Sequence, residues 1–303
     1  AMVEQQLIVV FDTNVYIGIG LEGLRKILDL GAKAGVLALA SVWPCLETLR
    51  RVTNEDPRKV QRALSTLRRI VSHAGYTADD CVRLRVHEAG EFTLARGLFG
   101  AEPEDPLLEI GFVADLVVAA TELDPKTFLT SYAAELDRVK ERVDLEERRM
   151  AGLPAAAAQF GPIQHRTVPS NVDLQIVAAG LVQVLAEEYG FALDTSNSHL
   201  AVNLVVQNFG IALAFVYDLM RDAHPTAGIP GGLNSVWDMK IAFHAARGAK
   251  VSGIPVLLVS DDSRLARAAA EVGEPYRITG KADYLALLSD EAVLASRIRA
   301  LRR

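Results

Sequence analysis

The sequence predicts an α/β fold in which a parallel sheet, with helices on both faces, is interrupted by a large all-helical insertion. Continuous apolar runs of strand length stand near both ends of the chain, LIVVF from residue 7 and IPVLLV from residue 254, as in strands that are covered on both faces. Segments with the apolar spacing of amphipathic helices alternate with these runs. The middle of the chain shows helical periodicity and almost no strand pattern.

The N-terminal part alternates strand and helix. The first strand, LIVVFD, ends at Asp12. The next segment, residues 21–33, spaces its leucines on one helix face and reaches Gly31, which we expect to end the helix. A second strand, VLALAS, covers residues 36–41 and leads into a helix with Pro44 in its first turn, where proline is tolerated.

The C-terminal part repeats this order. Its predicted elements are a helix from near Ser235 to Arg247, an apolar strand at 254–260, a helix from residue 262 that Gly273 closes, and a short last strand at 274–279. Because both ends of the chain have this α/β pattern, we expect them to contribute strands to one parallel sheet.

These patterns divide the chain into a discontinuous α/β domain, residues 1–75 and 226–303, and a helical insertion, residues 76–225. The stretch from Gly152 to Asn171 contains three prolines and neither helical nor strand periodicity, so it is predicted to be a loop or hinge. The helical patterns of the insertion lie at residues 128–150, 174–190 and 201–220.

Residues 201–220 are apolar enough to raise the question of a membrane span. Polar side chains, which are expensive in lipid, interrupt the segment at Asn203, Gln207, Asn208 and Asp218. We therefore predict a helix buried in the core or at a subunit interface, and no membrane contact. The helical insertion is the predicted contact surface for a homo-oligomer or a protein partner.

The cysteine content bears on the cellular compartment. The chain has two cysteines, Cys45 and Cys81, too few for a disulfide framework. It shows no charged-then-apolar N-terminal segment of the kind that marks a signal peptide. We therefore expect a cytoplasmic location.

The charge of the chain is acidic overall and basic locally. A net charge of −6 argues against a protein whose surface is positively charged throughout and which binds nucleic acid nonspecifically. Residues 48–72, however, contain seven basic and two acidic residues. This basic strip is either a solvated helix face or a surface for nucleic-acid phosphates. Its candidate phosphate-binding residues are Arg58, Lys59, Arg62 and Arg69.

Acidic residues stand where strands end. Asp12 follows the first strand and Asp261 and Asp262 follow the strand at 254–260, and the carboxyl ends of parallel strands meet at one edge of a sheet. Glu47 is predicted in the first turns of the helix after the second strand, and Asp238 in the first turn of the helix that begins near Ser235. Two carboxylates at ~4 Å repel by on the order of 4 kcal/mol. A cluster of four therefore needs protons or cations, and hard oxygen ligands suit Mg²⁺ or Mn²⁺.

Four short motifs resemble those of PIN-domain nucleases, in the same order and in the same elements: FDTN with Asp12, SVWPCLE with Glu47, VWDMKIAFHAARG with Asp238, and LLVSDDSRL with Asp262. The resemblance covers the two end segments and implies a parallel sheet flanked by helices. Members of this family cut single-stranded RNA, less often DNA, with divalent metal, and leave 5′-phosphate and 3′-hydroxyl ends. The long gap between Glu47 and Asp238 departs from a compact PIN domain, and the whole insertion lies outside the resemblance.

The resemblance also implies roles for individual residues. Asp12, Glu47, Asp238 and Asp262 would be the catalytic, metal-binding acids, with polar support from Thr13, Asn14, Ser260 and Asp261. Asp261 is also the rival of Asp262 as the metal ligand.

Three of the four acids also have a purely structural interpretation, whereas Asp12 ends a buried strand and pays a desolvation cost there. Asp262 is placed to cap the helix that follows it, and Asp238 forms a Ser-x-x-acid pattern with Ser235 that resembles a capping box. Glu47 would favour the positive end of its helix dipole. The clustering of acids at one sheet edge favours the metal site.

Two other functions stay open. One is a non-catalytic PIN-like module that binds RNA or protein. The other is a small-molecule phosphatase of the haloacid-dehalogenase type, whose first strand also ends in Asp. That type has a second Asp two residues later, where this chain has Asn14.

Overall fold

The structure is a computed structural model, and it describes residues 6–53, 56–74, 106–164, 166–188, 192–222, 233–251 and 253–303. Cys81 and both predicted boundaries of the helical insertion lie outside these ranges. The division into two domains therefore stays a prediction.

A mixed α/β fold is built around a parallel sheet. Four parallel strands run in the order β2-β1-β4-β5, and the short β3 pairs antiparallel with the start of β4. The strands are β1 (Leu7–Phe11), β2 (Val36–Leu39), β3 (Lys250–Val251), β4 (Ile254–Val259) and β5 (Ile278–Thr279).

The central strand β1 is buried along its whole length. Because successive side chains of a strand point to opposite faces, this burial requires cover on both faces of the sheet. The prediction from the continuous apolar run, a strand covered on both faces, is thus confirmed. In the register of β1 with β4, Phe11 pairs with Val259, so the residues that follow the two strands are neighbours.

Helices occupy most of the described chain. Those before residue 75 are α1 (Thr13–Ile17), α2 (Leu21–Lys33), α3 (Val42–Val52) and α4 (Pro57–Ala74). Those of the predicted insertion are α5 (Pro106–Glu122), α6 (Pro125–Ser131), α7 (Ala133–Ala158), α8 (Asn171–Glu188), α9 (Thr195–Asn208) and α10 (Gly210–Asp222). Those after residue 232 are α11 (Leu233–Ala242), α12 (Ser263–Glu271), α13 (Lys281–Leu288) and α14 (Glu291–Leu301).

Buried apolar side chains of the sheet and of helices from all three groups form one hydrophobic cluster. The helix α5 packs on α3 and α4, α7 packs on α3 and α11, and α10 packs on α11 and α12. These three helices of the predicted insertion therefore pack directly on helices of the α/β part.

Several predicted element ends are wrong, and each has a local cause. The helix predicted from near Ser235 to Arg247 begins at Leu233 and ends early, at Ala242, followed by a 3₁₀ turn. The amide of Arg247 instead donates to the Asn208 carbonyl at 2.7 Å, so the chain leaves the helical path before Arg247. The last strand is only two residues long. Pro275, which has no N–H to donate to a sheet, lies in the 3₁₀ turn before it.

Two helices pass through residues that were predicted to break them. The α2 helix continues past Gly31 to Lys33. The α7 helix continues through Pro154 to Ala158, so the predicted loop begins after Ala158 rather than at Gly152. One proline removes a single helical hydrogen bond, and the alanines that follow it are the strongest helix formers.

The apolar segment 201–220 is two helices rather than one. They are α9 and α10, which meet at an angle of 96°. At the break, the side-chain amide of Asn208 donates to the Leu204 carbonyl at 2.8 Å. Within the described ranges no single helix is long and apolar enough to cross a membrane, whereas this bent pair passes by length and composition. Residues 211–219 of α10 are buried, as predicted, whereas residues 201–208 of α9 are only partly buried.

Candidate metal centre

Asp12 lies at the centre of the candidate site. It follows β1, caps α1 and is 5% exposed. Its Oδ1 accepts a hydrogen bond from the Thr13 amide at 2.6 Å. Its Oδ2 accepts from the Ser260 hydroxyl at 2.6 Å and from the Asn14 side-chain amide at 2.7 Å. The buried carboxylate that follows the first strand is therefore fully engaged by the residues predicted to support it.

Asn14 and Ser260 tie the ends of β1 and β4 together. The Asn14 amide also lies 3.3 Å from the Ser260 hydroxyl, and its Oδ1 accepts from the Asp261 amide at 3.2 Å. The Ser260 hydroxyl in turn accepts from the Asp262 amide at 3.1 Å. This network fixes the turn that carries both Asp261 and Asp262.

Asp261 and Asp262 point to different partners. Oδ1 of Asp261 accepts from the Lys281 backbone amide at 2.7 Å, at the start of α13, and its carboxylate is 41% exposed. Oδ1 of Asp262 instead accepts from the amides of Arg264 and Leu265, at 2.6 and 3.3 Å, and caps α12. The capping interpretation of Asp262 is thus confirmed. The charge of Asp262 also raises the pKa values of Asp12 and Asp238.

Glu47 reaches the site from the second turn of α3. It is 8% exposed and forms an ion pair with Arg51 one turn later on the same helix. Burial raises the pKa of Glu47, while Arg51 and a hydrogen bond with the Thr13 side chain lower it. Arg51 therefore helps to keep the buried carboxylate charged.

Asp238 is the sixth residue of α11, because that helix begins at Leu233. The predicted first-turn position and the predicted capping box with Ser235 are therefore wrong. The Asp238 side chain is 17% exposed, and its Oδ2 lies 2.5 Å from Nη2 of Arg264. Arg264 Nη2 also lies 3.3 Å from Oδ2 of Asp262.

The charges of the four acids act on one another. Burial raises the pKa of Asp12 to about 6, against the hydrogen bond from Ser260, and the charges of Glu47 and Asp262 add to the rise. The pKa of Asp238 is raised to about 8. Burial is the largest cause, the charges of Asp262, Asp12 and Glu47 add to the rise, and the charge of Arg264 opposes it. Four carboxylates from four separate elements thus form one electrostatic cluster at the carboxyl end of β1 and β4.

The donor set of this cluster suits a hard divalent cation, because all four acids offer carboxylate oxygens. Within the part of the chain that the structure describes, no three His, Cys, Asp or Glu side chains converge closely enough to hold a metal ion. Arg264 lies against two of the four acids and supplies positive charge there. The chemistry of the residues fits Mg²⁺ or Mn²⁺, whereas coordination would require these side chains to draw closer.

The basic strip lies mainly on α4. Arg58, Lys59 and Arg62 are exposed on this helix. Arg69 is half-buried, and its Nη1 donates to the carbonyls of Tyr16 and Ile17 at 2.8 and 3.3 Å. Arg69 therefore holds the C-terminal end of α1, the helix that Asp12 caps.

Reasoning from the sequence missed the two arginines that pair with the acids, Arg51 and Arg264. A signal for Arg51 exists, because it stands four residues after Glu47, the spacing of a helical ion pair. Arg264 stands two residues after Asp262, but its contact with Asp238 depends on how α11 and α12 pack.

This chain matches no protein-family model, no curated protein and no solved structure with which it was compared. The interpretation of the site therefore depends on its own chemistry.

Proposed function

We propose that this chain is a divalent-metal-dependent phosphodiesterase with a PIN-like fold, and that it is an endoribonuclease that cuts single-stranded RNA. The observation that carries the proposal is the electrostatic cluster of Asp12, Glu47, Asp238 and Asp262. Two of these acids have raised pKa values to which the charges of the others contribute. Such perturbed groups mark functional sites, because a stable fold gains nothing from crowding like charges.

In this proposal Asp12, Glu47, Asp238 and Asp262 hold Mg²⁺ or Mn²⁺. When bound, the metal would supply Lewis acidity at the phosphate and a water activated for attack. The chain's own residues do the positioning: Ser260 and Asn14 orient Asp12 through hydrogen bonds. Arg51 offsets the charge of Glu47. No side-chain nucleophile is needed for this chemistry.

The exposed residues Arg58, Lys59 and Arg62 on α4 extend the proposal to substrate binding, because basic side chains position a nucleic-acid backbone through its phosphates. Arg69 enters the proposal as a positioning residue for α1, because it donates to the backbone carbonyls at the end of that helix. A cytoplasmic location and a partner that binds the helical insertion stay predictions.

Cleavage of a labelled single-stranded RNA, followed by end analysis, tests the proposal. We expect cleavage with Mg²⁺ or Mn²⁺, loss of cleavage in EDTA, and suppression by Ca²⁺, whose coordination is larger and looser. Asp262→Asn should abolish cleavage. Its matched control is Asp290→Asn, because Asp290 caps α14 as Asp262 caps α12: its Oδ1 accepts hydrogen bonds from the backbone amides two and three residues later. Equal cleavage by wild type and Asp262→Asn, or activity in EDTA, would contradict the proposal.

One observation favours a second candidate, a non-catalytic PIN-like module that binds RNA or protein. Arg264 neutralises part of the acid cluster through Asp238 and Asp262, as an internal ion pair would in a protein without metal chemistry. The cleavage experiment separates the two candidates, since only the nuclease gives shortened RNA that depends on added metal.

A further inference from the structure

Arg264 shares one nitrogen atom between two acids of the cluster. Its Nη2 lies 2.5 Å from Oδ2 of Asp238 and 3.3 Å from Oδ2 of Asp262. These two acids belong to different elements, α11 and the turn before α12. The guanidinium group therefore occupies the space between two carboxylates that the proposed function assigns to a divalent cation.

The position of Arg264 is set by both its helix and its neighbours. It lies in the first turn of α12, where its backbone amide donates to Oδ1 of Asp262. Its guanidinium carbon stands 5.5 Å from the ring centre of the buried Phe215, on α10. The side chain is 36% exposed, so it has room to turn toward solvent without disturbing the core.

We propose that Arg264 competes with the divalent cation for Asp238 and Asp262 and thereby sets the cation affinity of the site. This inference depends on the proposed function, because it concerns the same four acids. An arginine keeps its positive charge at every pH that the protein meets. A cation that binds these carboxylates must therefore displace the guanidinium group or share the oxygens with it, and either event weakens binding.

The competition has a direct consequence for the charge balance. The carboxylates of Asp238 and Asp262 repel each other, because oxygens of both lie within 3.3 Å of the same Arg264 nitrogen. Removing the charge of Arg264 leaves this repulsion without its internal counter-charge. The cluster should then attract a divalent cation more strongly, while the protein without added cation becomes less stable.

The same helix provides a matched control. Arg267 stands three residues later on α12 and is 48% exposed, and it pairs with Asp218 on α10 at 2.8 Å instead of with the acid cluster. Arg264→Gln and Arg267→Gln thus remove the same charge from the same helix. Arg264→Lys keeps the charge and loses the planar, forked shape.

Titration with Mn²⁺, followed by electron paramagnetic resonance of the free ion at constant ionic strength, measures the Kd for the cation without any activity assay. We expect Arg264→Gln to lower this Kd by about tenfold. We expect Arg267→Gln to leave it at the wild-type value, and Arg264→Lys to lie closer to wild type than to Arg264→Gln. If Arg264→Gln fails to fold, Arg264→Met keeps the apolar stem beside Phe215 and removes the charge.

An unchanged or higher Kd in Arg264→Gln would overturn the inference, and so would an equal gain in Arg267→Gln, which would indicate a general charge effect. Asp262→Asn separates this failure from a failure of the proposed function. If the wild type binds Mn²⁺, Asp262→Asn loses it, and Arg264→Gln has no effect, only the competition is wrong. If neither the wild type nor Arg264→Gln binds Mn²⁺, the metal site itself is wrong.

Discussion

The hydroxyl of Ser260, which follows β4, donates a 2.6 Å hydrogen bond to Oδ2 of Asp12, which follows β1. The same hydroxyl accepts a hydrogen bond from the Asp262 amide at 3.1 Å. One small side chain, 2% exposed, thus connects two acids that are far apart in the sequence. It also lowers the pKa of Asp12 against the effect of burial.

Replacing Ser260 with alanine should destabilise the protein by about 1–3 kcal/mol, because the buried carboxylate of Asp12 loses a donor and the part-buried amide of Asp262 loses its acceptor. Urea unfolding in EDTA measures this loss. Ser289→Ala is the matched control, since the Ser289 hydroxyl bonds only its own helix, at the Leu285 carbonyl on an exposed surface. A loss in Ser260→Ala no larger than in this control would show that the hydroxyl does not hold the two acids.

Much of this site follows from the sequence because two simple rules are at work. Apolar runs without alternation predict strands covered on both faces, and the carboxyl ends of parallel strands share one edge. Together they predict that Asp12 and Asp262 lie near each other, and the pairing of β1 with β4 brings the two strand ends together. The supporting positions of Asn14 and Ser260 follow from the same rule, because each residue lies just after one of these two strands.

The rest could not be predicted because it depends on packing between elements that are distant in the sequence. The direction of the Arg264 side chain depends on Phe215, on a helix of the predicted insertion. The end of α11 depends on a backbone hydrogen bond between Arg247 and Asn208. Such contacts leave no periodic pattern in the residues that make them.

The raised pKa of Asp238 makes stability depend on pH in a definite direction. Its pKa is about 8 in the folded protein and 3.8 as the ordinary value, so the folded state binds more protons than the unfolded state between these values. Stability from this group therefore falls as the pH rises from about 4 toward 8. Asp238→Asn, which cannot ionise, escapes this loss.

We therefore expect the difference in unfolding free energy between Asp238→Asn and wild type, measured in EDTA, to grow with pH and to level off above pH 8. Each unit of pKa shift corresponds to about 1.4 kcal/mol at most. Asp137→Asn, at an exposed position of α7, controls for the loss of one negative charge. A difference that stays constant from acid to alkaline pH would contradict the expected burial of Asp238 among like charges.

A buried ion pair joins α11, which carries Asp238, to α7. Lys240 Nζ lies 3.0 Å from Oε2 of Glu146, and these side chains are 2% and 3% exposed. Burial raises the pKa of Glu146, but the charges of Lys240 and Arg142 outweigh it and lower the pKa to about 2. The stability that this pair gives is complete above pH 4.5 and is lost as the pH falls from there toward 2.

Glu146→Gln should destabilise the protein by about 3–5 kcal/mol at neutral pH, because the buried Lys240 loses the charge of Glu146 that lies 3.0 Å from it. Thermal and urea unfolding measure the loss. It should shrink as the pH falls from 4.5 toward 2, because Glu146 of the unfolded wild type then binds a proton before the folded state does. Glu141→Gln, at an exposed position of the same helix, should change stability by no more than about 0.5 kcal/mol. Equal effects of the two substitutions would mean that the buried pair contributes nothing.

The exposed basic residues of α4 give a test of RNA binding that is independent of cleavage. Replacing Arg58, Lys59 and Arg62 together with glutamate should weaken the binding of single-stranded RNA of any sequence. The binding constant K falls as salt rises, and the steepness of log K against log salt should decrease by about 0.7 for each RNA phosphate that the variant no longer neutralises. Arg69 is left unchanged in this variant because it holds the end of α1, and its loss would confuse binding with stability.

The matched control reverses three charges at the C-terminal end of α14 and just beyond it, at the exposed residues Arg299, Arg302 and Arg303. That helix packs on β4 and α13, so the control has the same net charge on a different element. Fluorescence anisotropy at several salt concentrations measures both slopes with a catalytically inactive Asp12→Asn background, which prevents cleavage during the titration. If both triple variants lower the salt slope equally, net charge alone governs binding and α4 is only a solvated helix face. A lower slope for the α4 variant alone would instead place the RNA backbone along this helix.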